Sequence, residues 1–150
     1  FTRLATRLRE AGMQVIGIGE KKTPTPFIAA CDKFIYVEII RNLSEKKEGD
    51  EEAGKAKVSI DKITPKVVKL IAATISDLSD EDGWAFLGDV GSLLQKKQPN
   101  FDSRNYGFEK LTPLIKSTGR FDLEQRENPG SRHKLIFVKN KERQKTKGRK

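Results

Sequence analysis

Apolar positions recur along this chain with two different periods, and the changes of period divide it. Leu4, Ala5, Leu8 and Ala11 fall on one helical face that Gly12 ends. Val15 to Ile18 is a short apolar run with two β-branched residues, suited to a buried parallel strand. After the loop Gly19 to Pro24, Phe27 to Cys31 is predicted as a short helix and Phe34 to Val37 as a second strand. Periodicity then fails from Arg41 to Asp61, where Glu45-Lys46-Lys47-Glu48-Gly49-Asp50-Glu51-Glu52 mixes both charges with glycine, a linker composition. It resumes at Thr64, a helix cap followed by Pro65, with Val67, Val68, Ile71, Ile75 and Leu78 on one face through Ser79. Asp80 to Gly83 breaks that helix, and Trp84 to Leu87 is a short extended segment.

A second helix is predicted from Gly88 to Lys97, with Val90, Leu93 and Leu94 inward. A turn over Gln98 to Asp102, capped by Asp102 or Ser103, leads to a third helix reaching about Ser117, with Tyr106, Leu111, Leu114 and Ile115 inward and Gly119 as its stop. Phe121 to Glu124 and Lys134 to Val138 alternate as strands around a wing at Glu127 to Arg132. The fold class expected is therefore α+β in two small units. Residues 1–40 form the closing half of an α/β sheet, too small to bury both faces alone. Residues 41–61 are a charged flexible linker, 62–139 a winged helix, and 140–150 a basic disordered tail.

Composition narrows the function classes. A hydrophobic share of 35% is low for one compact core of 150 residues, and the lone Cys31 excludes an internal disulfide. Cys31 has no nearby His or second Cys and is expected as a buried small side chain. No apolar run approaches the roughly 18 residues of a membrane span and no signal segment opens the chain, so the cytoplasm is the default and no membrane partner is expected. The net charge of +9 points to a polyanion, but the last twelve residues carry +6 of it. Residues 62–138 hold twelve basic and ten acidic side chains, so binding by the winged helix itself should be modest.

The candidate binding residues are cations and amides on that unit. They are Lys96 and Lys97 ending the second helix, Arg104, Asn105 and Lys110 on the third, and Arg126, Arg132 and Lys134 around the wing. Lys21 and Lys22, at a strand end where open α/β sheets take ligands, complete the set, unless they are simply a solvated loop. Two roles are open to Arg104, a base edge or a pair with Asp102, and two to the tail, non-specific binding or simple solvation. Trp84, Phe86 and Tyr106 are assigned to packing, Phe108 to packing or base stacking, and His133 to an exposed wing position. Among residues 1–40 only Glu10, Glu20, Asp32 and Glu38 are acidic, and they are scattered, so no catalytic or metal-binding residue is expected in this chain.

Two resemblances sharpen this. Phe1-Thr2-Arg3-Leu4, Gly17-Ile18-Gly19-Glu20-Lys21-Lys22-Thr23-Pro24 and Cys31-Asp32-Lys33-Phe34-Ile35-Tyr36 resemble the C-terminal end of NYN domains, the PIN-like ribonuclease family that includes bacterial DUF88 and LabA-like proteins. In that family a metal-binding Asp-x-Asp-Phe runs into this helix, with Phe1 in the place of its last residue. The resemblance thus implies a Rossmann-like fold, and catalytic acids for Mg²⁺ or Mn²⁺ that lie before residue 1 in an intact parent ribonuclease. Gly83-Trp84-x-Phe86-Leu87, Val90-Gly91-x-x-Leu94, Pro99-x-Phe101-Asp102-x-Arg104-x-Tyr106-Gly107 and Leu111-x-x-Leu114-Ile115 resemble the OST-HTH or LOTUS domain over about residues 63 to 139. LOTUS domains accompany NYN domains in bacterial proteins. The family includes binders of G-rich and G-quadruplex RNA, and an animal subclass that binds a DEAD-box helicase. The resemblance implies an RNA-binding module beside a ribonuclease, the alternative being a protein-interaction adaptor that docks through its third-helix face.

Overall fold

The computed structural model describes residues 1–45, 60–127 and 134–141, and of residues 42–45 only the backbone. Helix α1 (Thr2–Glu10) ends as the pattern implies: the Gly12 N–H donates to the Arg9 carbonyl at 2.9 Å and Met13 N–H to that of Leu8 at 3.0 Å. Strand β1 (Ile16–Gly19), helix α2 (Thr25–Ala30) and strand β2 (Lys33–Tyr36) follow, and β1 pairs parallel with β2. Gly17 makes that pairing dense. A Cβ there would sit 2.6 Å from the Phe34 ring and 2.7 Å from Cys31 Sγ, so the bare glycine lets the ring lie on β1. Cys31, Phe34, Tyr36, Ile28 and Ile39 form a small core.

Two expectations for this unit need correction. Of the predicted face of α1 only Ala5 is buried, and β1 is not buried on both faces: Ile16 and Ile18 are 54% and 60% exposed. A two-stranded sheet covers one side only. The chain also does not go slack after Ile40. Val37 opens a helix, α3 (Val37–Glu45), instead of ending the strand, so the first residues assigned to the linker are helical. At the other end Ile60 lies against Gly107, and the Asp61 N–H donates to the Asn105 carbonyl at 2.9 Å, so these belong to the C-terminal unit. The rest of the predicted linker lies outside the described residues.

The C-terminal unit runs α4 (Pro65–Leu78), β3 (Trp84–Phe86), α5 (Leu87–Lys97), a 3₁₀ turn (Ser103–Tyr106), α6 (Leu111–Thr118), β4 (Phe121–Glu127) and β5 (Lys134–Asn140). Thr64 Oγ1 accepts from the Val67 N–H at 3.4 Å, with Pro65 in the first turn, as the sequence indicates. The strands form one antiparallel sheet in the order β3-β5-β4, with Ala85 opposite Val138 and Val138 opposite Leu123. Helix-strand-helix-helix-strand-strand with this sheet order is a winged helix. The wing tip and the tail beyond Lys141 lie outside the described residues.

Ile71, Ile75, Val90, Leu94, Leu114, Ile115 and Val138 are fully buried where α4, α5, α6 and the inner sheet face meet. Burial on this scale is the main stabilising term of so small a unit, each large aliphatic side chain contributing about 1.5–3 kcal/mol. The third helix is shorter than predicted. Gly107 takes φ +83, its N–H donates to Arg104, and Phe108 N–H donates to Ser103, which closes the 3₁₀ turn before α6 begins at Leu111. A glycine in the left-handed region ends helical hydrogen bonding.

The two units are joined directly. Phe34 N–H donates to the Pro99 carbonyl at 2.8 Å, Asn100 Nδ2 donates to Tyr36 Oη at 2.8 Å, and Lys21 Nζ pairs with Asp61 at 2.9 Å. Strand β2 is thereby held against the turn that follows α5.

Candidate nucleic-acid interface

Where β2 meets that turn, α1 and α5 are left facing each other across a cleft of about 940 Å³. Arg9 from α1, Lys33 from β2, and Gln95, Lys96 and Lys97 from α5 line it. A smaller hollow of about 300 Å³ adjoins it, because Ser92 and Gln95 line both, and reaches Asp102 and Ser103. The cleft holds four cations against two acids, Glu10 and Asp32. Arg9 Nε pairs with Asp32 at 3.1 Å, and Lys97 Nζ with Asp77 of α4 at 2.5 Å. Lys33 and Lys96 form no salt bridge among the described residues, although Lys33 is near enough to Asp102 to help lower its carboxyl pKa. Cations outside a salt bridge attract an anion more readily than paired ones, since no carboxylate contact has to be displaced.

The predicted binding residues are scattered by this geometry. Lys96 and Lys97 line the cleft, while Lys110 caps α6 and Lys134 starts β5, both exposed and outside the cleft lining. Lys21 is drawn to Asp61 and its own N–H donates to Glu38 Oε1 at 3.2 Å; Lys22 pairs with Glu20 at 2.8 Å, which raises its ammonium pKa. Lys21 thus joins its loop to the start of the C-terminal unit, Lys22 forms an exposed pair within its own loop, and neither lines the cleft.

Arg104 resolves to its structural alternative. Its Nε and Nη2 donate to the two carboxylate oxygens of Asp102 at 2.9 and 2.6 Å, and its N–H donates to Asp102 Oδ1 at 2.9 Å. Burial alone would raise the Asp102 carboxyl, but these contacts outweigh it and hold it below the usual carboxylate range. Asn105 cannot read a base edge in this fold. It is 6% exposed, and Nδ2 donates to the Asn100 carbonyl at 2.9 Å, which shapes the turn that carries the contact to Tyr36. Arg132 and His133 lie outside the described residues.

Arg126 stands elsewhere, on the outer face of the sheet. Its guanidinium lies 4.5 Å from the Phe137 ring centroid and 5.5 Å from that of Trp84. Trp84 and Phe86, assigned above to packing, are not in the core: alternation along β3 turns Ala85 inward, so its two neighbours face out. Tyr106 and Phe108, by contrast, pack against the core.

Asp32, Glu20 and Glu38 of the N-terminal unit each hold a contact within the fold. Asp32 accepts from the Val15 N–H at 2.9 Å besides pairing with Arg9, and Glu20 pairs with Lys22. No three His, Cys, Asp or Glu side chains converge as a metal site among the described residues, so those present do not fit a Mg²⁺ or Mn²⁺ centre. Cys31 is buried, its Sγ donates to the Phe27 carbonyl at 3.4 Å, and burial raises its thiol pKa, so it is not an activated nucleophile.

The arrangement defines a winged-helix module docked on a small α/β piece. Residues 59–133 match the OST-HTH/LOTUS domain and residues 1–40 the NYN domain. The chain belongs to the OST-HTH/LOTUS family, and an NYN domain fragment precedes that domain. It is similar to an uncharacterised protein of Nitrosomonas europaea with a solution NMR structure, at 36% identity over 63% of this chain and 90% of that one, with a TM-score of 0.48. No curated protein matches. Among the described residues no helix is long and apolar enough to cross a membrane.

Sequence reasoning missed Arg9, Lys33 and Gln95 as cleft residues. Lys33 had no signal of its own, being one cation at the start of a strand. Only the docking of β2 on the Pro99–Asn100 turn brings it into the cleft that Lys96 also lines.

Proposed function

We propose that this chain is an RNA-binding module, and that it holds RNA against an NYN-type, Mg²⁺- or Mn²⁺-dependent ribonuclease in a longer parent. The observation that carries the reading is the cleft to which both units contribute cations outside any salt bridge, Lys33 from the NYN fragment and Lys96 from the winged helix. A backbone passing between them would meet ammonium groups on both sides. Such contacts supply affinity without sequence information. On this reading the role of the chain is to position substrate, with water activated by clustered acids of the parent ribonuclease.

The adaptor reading has less support. A partner docking on the apolar face of the third helix would need that face free, whereas Leu114 and Ile115 are fully buried in the core. The experiment is fluorescence anisotropy of end-labelled G-rich, duplex and single-stranded RNA with the full chain at low and physiological salt. Binding that weakens with salt is expected; no binding to any of the three removes the reading.

A further inference from the structure

The outer face of the three-stranded sheet carries side chains that the core does not use. By the register, Trp84 stands opposite Lys139 and Lys139 opposite Asp122, while Phe86, Phe137 and Glu124 form the next row and Leu135 faces Arg126. The core lies on the other face, with Ala85, Val138 and Leu123. A solvated face usually carries polar residues at alternate positions. Here Trp84, Phe86 and Phe137 are part-exposed, with rings of Phe86 and Phe137 5.9 Å apart.

The cations of this face sit on the rings. Arg126 lies over Phe137 and Trp84, and Lys139 Nζ lies 6.0 Å from the Trp84 centroid, its stem crossing the turn at Gly83. Arg126 touches Glu124 only at 3.4 Å, Asp122 faces Lys141 at 3.7 Å, and Lys139 pairs with no carboxylate among the described residues. The Trp84 backbone is fixed from both sides: its N–H donates to Asp80 Oδ1 at 2.8 Å and its carbonyl accepts from the Asp80 N–H at 2.9 Å. A part-exposed indole on a held backbone, a guanidinium plane and an ammonium group within one patch have the chemistry of a base-stacking surface with phosphate contacts at its edge.

We infer that this face binds unpaired bases of single-stranded RNA, with a base stacking on Trp84 and the Arg126 guanidinium and a neighbouring phosphate meeting Lys139. The inference rests on the RNA reading above but concerns a different surface. A duplex hides its base faces, so the patch selects loose strands or loops.

Trp84 is the only tryptophan, so its emission reports this patch alone. The full chain is titrated with a single-stranded mixed-sequence oligoribonucleotide, and with an abasic ribose-phosphate oligomer of equal length. Anisotropy of the end-labelled strands is read in parallel. RNA is expected to quench Trp84 as anisotropy rises, and the abasic oligomer to bind more weakly and leave the emission unchanged. Trp84→Ala should weaken RNA binding roughly 5- to 150-fold, and Arg126→Gln and Phe137→Leu, which keep the indole, should reduce the quench. RNA bound with Trp84 unmoved, or equal quenching by the abasic strand, overturns the inference and leaves the RNA reading standing. No anisotropy change with any RNA removes both.

Discussion

The two cleft cations that form no salt bridge give the sharpest test of how the units cooperate. Replacing Lys33 and Lys96 together by glutamine keeps side-chain length and removes both charges. If all four cleft cations contacted phosphates, the salt slope for a single strand would be about −2.8, an affinity loss of roughly 50-fold between 50 and 200 mM salt. The structure argues for a smaller value. Arg9 and Lys97 already face Asp32 at 3.1 Å and Asp77 at 2.5 Å, so a phosphate reaching them brings a carboxylate close as well. Two effective contacts give a slope of about −1.4, or roughly 7-fold over the same range. The double variant should therefore lose about 1.4 from the slope of the parent chain, whereas the Arg9→Gln, Lys97→Gln pair should lose clearly less. Anisotropy of a labelled single-stranded RNA across that salt range reads both, with unfolding curves confirming that each variant folds. Equal slopes for the parent and the Lys33, Lys96 variant, with RNA still bound, would refute the reasoning.

Other expectations follow from the same geometry. Tyr36→Phe removes the acceptor for Asn100 Nδ2 and should cost about 0.5–1.5 kcal/mol in denaturant unfolding; an unchanged midpoint would deny the contact between the units. Leu114→Ala, at a fully buried site, should cost about 2–5 kcal/mol in the same assay. Asp102→Ala removes both the turn cap and the Arg104 pair and should destabilise the chain by about 1–3 kcal/mol near neutral pH. Because the Asp102 pKa is lowered in the fold, its contribution is present above the unfolded carboxylate value and is lost as pH falls through the folded one. The stabilities of parent and variant should converge in acid, and a constant gap between pH 6 and pH 3 would contradict this. Labelled RNA incubated with the chain and Mn²⁺ should remain uncut, since the acids present form no metal site; specific turnover would overturn that assignment.

The sequence carried the winged helix well because its marks are local. Thr64 before Pro65, the Asp80 to Gly83 break and Gly119 after Thr118 each set an element boundary by backbone chemistry alone. Gly107 was harder: a lone glycine within an apolar period is compatible with a continuing helix, and only its left-handed conformation, held as the Gly107 and Phe108 N–H groups donate to the Arg104 and Ser103 carbonyls, separates the turn from α6. Helix α3 was masked because Val37 suits the end of a strand as well as the start of a helix. The binding surface was the least legible part. Arg104 and Asn105 stand at positions that suggest base contacts, yet one is locked to Asp102 and the other is buried under the Asn100 turn. Arg9 and Lys33 gain a place only through packing between segments more than 50 residues apart, which no local period encodes.

The claim that both units grip one strand is tested most directly by amide chemical-shift mapping of the full chain during titration with single-stranded RNA. The account expects shifts at Gly12 and Lys33 on one wall of the cleft together with Gln95 and Lys96 on the other, saturating with one affinity. Shifts confined to the winged helix, with the walls from α1 and β2 silent, would contradict it.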